Sequence, residues 1–387
     1  MLKPLRHAVA IAWALSPAFV LGATQPAATA PATLPPELAA LLAPPSLWSV
    51  WSRVEADYGY KDNLLLSSSG EERSAFARAS AEFGVLRLPG RGFDCSLLTE
   101  VAGTHYFNGR STNHDARAFF FGEAGWQPAS SLRISLPLVG SYKDEAIDQS
   151  DTDIVRIVSV TKVAGVNLGP AVRWTFHPAW SIEAQAAGER RHFEGGVNDF
   201  DIGAGALRLG WKPHARFKVR LGAEQRWRDF KERAQYSAAG RELAGTSLKA
   251  AEREAKARIE FKWDRAGRWQ TTTRASVLTY RDNGSGYFNF SEQALGHEVE
   301  WNRAPWLVRV GGSARRVEFD VQTVGFGISP PPRVRDEFSA EFRVERELTP
   351  RWAVVARYEW ERSRSNDPLS SYVMNEGLLG LRWSWEK

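Results

Sequence analysis

Tryptophan recurs beside short, charged turns in this chain. Trp263 and Trp269, for example, bracket the segment Asp-Arg-Ala-Gly-Arg. A soluble core gives no reason for this placement. A membrane–water interface does, because indole joins an apolar ring to one N–H that needs a polar partner. The pattern predicts an aromatic girdle at the periplasmic rim of a transmembrane β-barrel, formed by Trp48, Trp126, Trp174, Trp180, Trp211, Trp263, Trp269, Trp301, Trp306, Trp352, Trp383 and Trp385.

From Trp48 onward, apolar and polar residues alternate with a period of two, which is typical of β-strands. In the clearest segment, one face carries Trp352, Val354, Ala356, Tyr358 and Trp360, and the other carries Arg357, Glu359, Glu361 and Ser363. A soluble antiparallel sheet also alternates, so a soluble sandwich or solenoid is the alternative. The segments run to about a dozen residues, however, which exceeds the usual soluble length of about five or six.

Short and long connectors also alternate along the chain. Seven short ones contain Pro or Gly, near residues 89–91, 127–129, 177–179, 212–214, 264–267, 302–305 and 349–350, and eight longer ones alternate with them, beginning and ending the series. Lipid cannot hydrogen-bond free backbone groups, so a sheet in a membrane must close on itself. We therefore predict an all-β, antiparallel, up-and-down transmembrane barrel of about sixteen strands (14–18), with short periplasmic turns, longer extracellular loops and both ends in the periplasm.

The amino terminus predicts export. A basic start and an apolar run indicate a signal peptide over residues 1–23, and an Ala/Pro-rich periplasmic leader follows over 24–47. The barrel then occupies 48–387, in the cell outer membrane. Cys95 is the single cysteine, so no internal disulfide forms, and it is interpreted as an inert small residue. A net charge of +5 with interleaved signs argues against a nucleic-acid partner.

Charged residues of both signs fall on the inward faces of the predicted strands. One interpretation is a pore whose transverse field favours anions along the basic segment 214–230. The other is a network of cross-strand ion pairs that fills or stiffens the lumen. The predicted pore-lining residues are Arg216 in that segment, together with Lys218, Arg220, Arg226, Arg228, Glu298, Glu300, Arg309, Arg343, Glu345, Arg357 and Glu359.

No catalytic, cofactor or metal motif stands out. The acidic loop with Asp144, Glu145, Asp148, Asp151 and Asp153 has no calcium-loop spacing and is interpreted as a solvated loop. Histidines flank two outer loops: His105, His114 and Asp115 one of them, and His192 with Glu194 the other. No nucleophile motif accompanies them, so the expectation is a protein that is not an enzyme.

Two hairpins carry a family resemblance. Tyr58-Gly-Tyr-Lys-Asp-Asn-Leu-Leu-Leu-Ser-Ser-Ser69 resembles the opening of the β-barrel porin type 2 family, and Arg364 to Asn375 followed by Gly380 to Trp385 is similar to its terminal hairpin. That hairpin also resembles the barrel of surface lipoprotein assembly modifiers, whose helical-repeat domain is missing from this sequence. The resemblance implies an outer-membrane barrel, associated in some relatives with exopolysaccharide export.

The last strand resembles the signal read by the outer-membrane assembly machinery, although Glu386 and Lys387 follow its aromatic residue. In addition to that machinery, the expected partners are outer-membrane lipid, lipopolysaccharide, and small solutes or an exported polymer. The leading hypothesis is a porin-like passive channel. An accessory barrel for export or assembly of a surface polysaccharide or lipoprotein is the alternative, and a rim-sited hydrolase comes third.

Overall fold

The computed structural model describes residues 47–68, 71–90, 92–148, 158–194, 198–325 and 327–387. The proposed signal peptide and nearly all of the leader lie outside these residues, as do Asp151 and Asp153. Among the described residues, no helix is long and apolar enough to cross a membrane.

One antiparallel sheet accounts for almost all of the described chain. Its strands are Trp48–Lys61 (β1), Ser74–Gly90 (β2), Phe93–Tyr106 (β3), His114–Ala129 (β4), Leu132–Asp148 (β5), Val158–Leu168 with Ala171–His177 (β6), Trp180–Phe193 (β7), Phe200–His214 (β8), Phe217–Phe230 (β9), Lys249–Lys262 (β10), Trp269–Asp282 (β11), Phe290–Arg303 (β12), Trp306–Thr323 (β13), Pro332–Glu347 (β14), Trp352–Ser365 (β15) and Tyr372–Glu386 (β16).

The two segments of β6 form a single strand. Leu138 pairs with Leu168 before the interruption and Ser135 pairs with Ala171 after it, in one unbroken register. The interruption falls at Gly169-Pro170, because proline has no N–H to give to the ladder. The sheet therefore has sixteen strands, as the sequence predicts.

The sheet closes into a barrel. β1 pairs with β16 from Trp51↔Glu386 to Lys61↔Glu376, and every other strand pairs with its neighbours in sequence. Seven short turns lie at the end that holds both Trp48 and Lys387, and eight longer connections lie at the opposite end. The predicted up-and-down topology is confirmed.

Two short turns lie later in the chain than predicted. The β4–β5 turn is at residues 130–131 rather than 127–129, and the β8–β9 turn is at 215–216 rather than 212–214. The register shifts in both hairpins, between Trp126 and Ala129 and between Phe217 and Val219. Such irregularities accommodate a strand proline, so Pro128 and Pro213 sit inside strand ends instead of forming the turns.

A buried hydrophobic cluster occupies one side of the outer mouth, inside the barrel. Inward-facing residues of β8–β13 provide its wall, while Leu248 comes from the β9–β10 loop and Tyr287 and Phe288 come from the β11–β12 loop. Leu248 and Phe288 are each only 1% exposed. We call this set the mouth cluster: Phe200, Ile202, Phe230, Leu248, Ala250, Tyr280, Tyr287, Phe288, Phe290, Val317 and Phe319.

Buried polar contacts tie the β11–β12 loop and the β15–β16 loop to the wall. Arg333 of β14 donates to Gln322 Oε1 at 3.0 Å and to Ser370 Oγ at 3.1 Å. Gln322 in turn donates to the backbone oxygen of Tyr287 at 3.1 Å. The β11–β12 and β15–β16 loops are thus held against the inside of the barrel.

Replacing Phe288 with alanine should release the inward-folded loops and leave the barrel closed. A buried Phe→Ala change costs about 3–5 kcal/mol, and here that cost falls on local loop packing rather than on strand pairing. The β9–β10 loop should therefore be cut by protease about tenfold faster or more in intact membranes. Leu243→Ala, at an exposed position of the β9–β10 loop itself, is the control. Equal cleavage of both variants would contradict the inward packing.

Candidate channel lining

Strand register decides which side chains face the lumen. On β9, Leu221 lies opposite Leu209 and Ala257, both on the apolar outer face. Because side chains alternate, the even-numbered β9 residues point inward. Applied around the barrel, the same reasoning places on the inner face Lys218, Arg220, Arg226, Arg228, Glu298, Glu300, Arg309, Arg343, Glu345, Arg357 and Glu359.

Arg216 is the exception among the predicted pore-lining residues. It lies in the β8–β9 turn and is exposed at the rim, because β8 continues through His214. Its charge therefore belongs to the periplasmic entrance and not to the wall.

The twelve predicted girdle tryptophans all face outward at the end of the barrel that carries the short turns and termini. Some contact each other across strands: Trp180 stacks on Trp211 with ring centroids 5.6 Å apart, and Trp269 lies 6.0 Å from Trp301. Trp51 instead faces the lumen, where Gly84 leaves space for its ring. An apolar outer wall with an interfacial aromatic row and a charged interior matches a lipid-embedded barrel.

The chain is an outer-membrane β-barrel. No family model matches it, and no curated protein matches it either. Solved structures with similar folds include OccAB1 of Acinetobacter baumannii, at 9% identity and a TM-score of 0.49, with 88% of this chain and 96% of that one covered. A loop-deletion mutant of Vibrio cholerae OmpT matches at 11% identity and a TM-score of 0.47, covering 87% and 99%. Pseudomonas aeruginosa OpdQ matches at 8% and 0.45, covering 88% and 99%.

Most lumen charges are paired with a neighbour of opposite sign. Arg226 Nε lies 2.5 Å from Glu224, and Arg357 lies 2.9 Å from Glu359 and 3.2 Å from Glu341. Further pairs join Arg309 to Glu300 at 2.7 Å, Arg343 to Glu345 at 2.7 Å and Arg382 to Glu345 at 2.5 Å. The ion-pair network is therefore present along much of the wall.

One of the most buried of these pairs lies under the mouth cluster. Arg228 Nη2 is 2.5 Å from Glu252 Oε1, and the two side chains are 6% and 5% exposed. The Arg228 guanidinium carbon also lies 4.5 Å from the centroid of the Phe200 ring. This pair links the charged wall to the hydrophobic mouth.

Three arginines lie side by side in the wall. Arg220 is directly opposite Arg258, and Arg258 is directly opposite Arg274, across β9, β10 and β11. Glu260 forms ion pairs in this part of the wall: its carboxylate lies 2.7 Å from Arg258 and 3.8 Å from Lys218. Among the described residues, Arg274 has no hydrogen bond or ion pair, and its Nε is buried. We call Arg220, Arg258 and Arg274 the arginine row.

The wall half-way around the barrel carries an acidic group. Glu82 of β2 is directly opposite Glu100 of β3, and Glu55 lies near them on β1. Arg53, 3.6 Å from Glu82, and Arg117, 3.0 Å from Glu100, compensate them in part. Asp57 is buried in the same wall without an ion pair among the described residues. Walls of opposite sign create a field across the lumen.

The candidate histidines are not part of the lumen. His105 and His114 are directly opposite each other on the outward faces of β3 and β4. His114 contacts Asn113 at 2.7 Å and Asp144 at 3.5 Å, while His192 contacts Asp199 at 2.6 Å. Among the described residues, none of these imidazoles is hydrogen-bonded to a serine or threonine hydroxyl; the Thr112 hydroxyl donates to the backbone oxygen of His114. No cluster of three metal-ligating side chains occurs among those residues either.

Sequence patterns miss the arginine row and the mouth cluster. The basic segment 214–230 predicts Lys218 and Arg220 as lumen residues, whereas Arg258 and Arg274 lie on two other strands and join them only through register. Loop residues such as Leu248 and Phe288 carry no periodic signal.

Removing Glu252 should destabilise the barrel strongly. Glu252→Ala leaves the buried Arg228 charge without its partner, which costs about 3–5 kcal/mol. Lys249→Ala, which breaks the exposed Lys249–Asp229 pair of the same hairpin, should cost about 0–1 kcal/mol. Denaturant unfolding in lipid vesicles measures both. Equal losses would show that burial of the Arg228–Glu252 pair is not what matters.

Acid should loosen the contact between two outer loops. Slight burial opposes ionisation of Glu72, but hydrogen bonds from the Arg110 and Ser111 backbone N–H groups outweigh it and lower its pKa. A lowered carboxyl pKa contributes stability above the unfolded-state value, and this is lost as pH falls through the folded value. Corrected for intrinsic rates, hydrogen exchange at these two amides should therefore speed up below about pH 4.5. Glu72→Gln should remove that pH dependence; its persistence would contradict the contact.

Proposed function

We propose that this barrel is a porin-like passive channel whose lumen favours anionic solutes along the β9–β11 wall. The arginine row is the observation that carries this proposal. Three adjacent guanidinium groups face the lumen, and one of them, Arg274, makes no direct hydrogen bond or ion pair among the described residues. A cation in this position lowers the energy of a passing anion, since low-dielectric walls strengthen the field in the lumen.

The proposed lumen has both an ion-pair network and a selective field. Paired charges such as Arg226 with Glu224 stabilise the wall and contribute little net field. Selectivity then depends on the charge that remains after pairing, which is positive along the arginine row and negative beside Glu82 and Glu100 on the opposite wall. A solute with both charge signs would be oriented as it passes between the two walls.

The resemblance of the first and last hairpins to the β-barrel porin type 2 family supports the same class of function. An export or assembly barrel is the second candidate. It is favoured by the outer loops that pack inside the mouth, because a narrowed mouth suits a channel that opens with a partner. A lipid hydrolase has weaker support, since His105 and His114 lack a nucleophilic partner among the described residues.

Reversing the arginine row should abolish or invert anion preference. Arg258→Glu together with Arg274→Glu should lower the anion-to-cation permeability ratio roughly fivefold or more, measured from reversal potentials in planar bilayers with a salt gradient. Arg265→Glu makes the same kind of charge change in the exposed β10–β11 turn and should have a smaller effect.

Two outcomes would contradict the proposal. Unchanged selectivity in the double variant would remove the role of the arginine row. A wild-type barrel that is folded but gives no conductance steps would favour the partner-gated export barrel, and conductance regained in Phe288→Ala would identify the mouth cluster as the closure.

A further inference from the structure

The inner wall of β1–β5 carries an apolar patch within the charged lumen. On β4, Trp126 lies on the outer face, so alternation places Phe120 outside and both Phe119 and Phe121 inside. Leu98 is directly opposite Phe121 on β3, and its side chain is only 3% exposed. Trp51 and Val139 extend the patch on either side. We call this set the lumen patch: Trp51, Leu98, Phe119, Phe121 and Val139.

The two phenylalanine rings are accessible from the lumen. Both side chains are half-buried, and among the described residues neither ring contacts another ring or a cation. The Trp51 ring of the same patch, in contrast, already carries a cation: the Arg53 guanidinium carbon lies 5.2 Å from its centroid. Apolar surface that faces water is costly, so a solute that covers these rings gains free energy by doing so.

Carboxylates border the lumen patch. Glu100 is directly opposite Phe119, and Glu82 is directly opposite Glu100. Arg53 and Arg117 pair with these carboxylates, yet the Glu82 and Glu100 side chains stay 29% and 24% exposed. Like charges that are directly opposite each other repel, so a further cation beside the two carboxylates lowers the energy of this wall.

We propose that the lumen patch binds organic cations that have an apolar body, such as aryl- and alkylammonium ions. The face of an aromatic ring attracts a cation through its quadrupole, and this attraction increases where water is excluded. Directly opposite residues have Cβ atoms about 5 Å apart, so one ammonium group can contact both the Phe119 ring and the Glu100 carboxylate.

The inference deepens the proposed channel function, because it names a second solute class for the same lumen. The arginine row serves anions, and the lumen patch serves apolar cations on a different wall. It rests on a lumen that solutes can enter, so binding and conduction are measured separately.

Removing the two rings should weaken binding. Purified protein in nanodiscs is dialysed to equilibrium against labelled benzyltrimethylammonium, which combines a ring with a fixed positive charge. Phe119→Ser together with Phe121→Ser should weaken binding about tenfold or more. Phe120→Ser is the matched control, because it makes the same change between them on the outer face. Wild-type affinity in the folded double variant, or equal weakening in the control, would overturn the site.

Folding of each variant is verified by heat-modifiable gel mobility. If the double serine variant does not fold, Phe119→Leu together with Phe121→Leu replaces it. That variant keeps apolar side chains but removes both ring faces, so it should weaken binding about threefold or more. Wild-type affinity in the leucine variant would overturn the role of the rings.

The preference for cations is tested with a second probe. Wild-type protein should bind benzyltrimethylammonium about tenfold or more tightly than benzenesulfonate, which has a similar ring and a negative charge. Glu82→Gln together with Glu100→Gln should remove most of this preference. Equal affinity for the two probes in wild-type protein would overturn the choice of cations. Binding that appears only after deletion of residues 24–46 would assign the lumen patch to that segment instead.

Conduction is measured separately in planar bilayers. Benzyltrimethylammonium should reduce the current through the wild type and through the Arg258→Glu, Arg274→Glu variant, and much less through the double serine variant. Probe binding without anion preference would contradict the proposed role of the arginine row alone. Anion preference without probe binding would contradict the lumen patch alone.

Discussion

Closure of the backbone hydrogen-bond ladder is the constraint on which the rest of this structure depends. Lipid offers no partner for an open strand edge, so β1 and β16 must pair and an even number of strands must return the chain to its starting rim. That requirement fixes the register around the barrel, and the register fixes which side of the wall each side chain faces. The apolar exterior, the row of tryptophans and the charged lumen are consequences of it.

A charged lumen creates a second requirement, since charge near a low-dielectric wall is costly unless it is compensated. Pairs such as Arg228–Glu252 meet that requirement by contact. The arginine row meets it less completely, with Glu260 beside Arg258 and no direct ion pair for Arg274 among the described residues. Such partly compensated charge persists where it has a use or where solvent reaches it, and the row faces the lumen.

The mouth follows different physics from the wall. Here aromatic residues are buried inside the barrel, and those of the wall pack against Leu248 of the β9–β10 loop and Phe288 of the β11–β12 loop. Arg333 fixes the arrangement through Gln322 and Ser370. Stability in this region therefore comes from packing and a few buried hydrogen bonds, so the loops can open without breaking the ladder. In the proposed channel, selection is assigned to the arginine row and admission to the loops of the mouth.

Much of the fold is predictable from the sequence because strand alternation and turn chemistry are local. The sixteen strands, the position of the termini and the outward direction of Trp352 and Tyr358 all follow from period-two patterns. The turns predicted at Pro128 and Pro213 lie a few residues too early, because a bulge lets each strand continue past its proline. The arginine row and the mouth cluster are not predictable in this way, since each depends on which residues the register brings together from separate strands.

Disulfide trapping across the closing strands tests the account most directly. In a Cys95→Ala background, cysteines at Ala56 and Leu381 should form a disulfide in the folded protein, because these residues are directly opposite each other across β1 and β16. Cysteines at Ala56 and Trp383, on the same face but one pair out of register, should form it much less efficiently. A barrel that instead cross-links the second pair, or neither pair, would contradict the register from which the lumen lining and the girdle are derived.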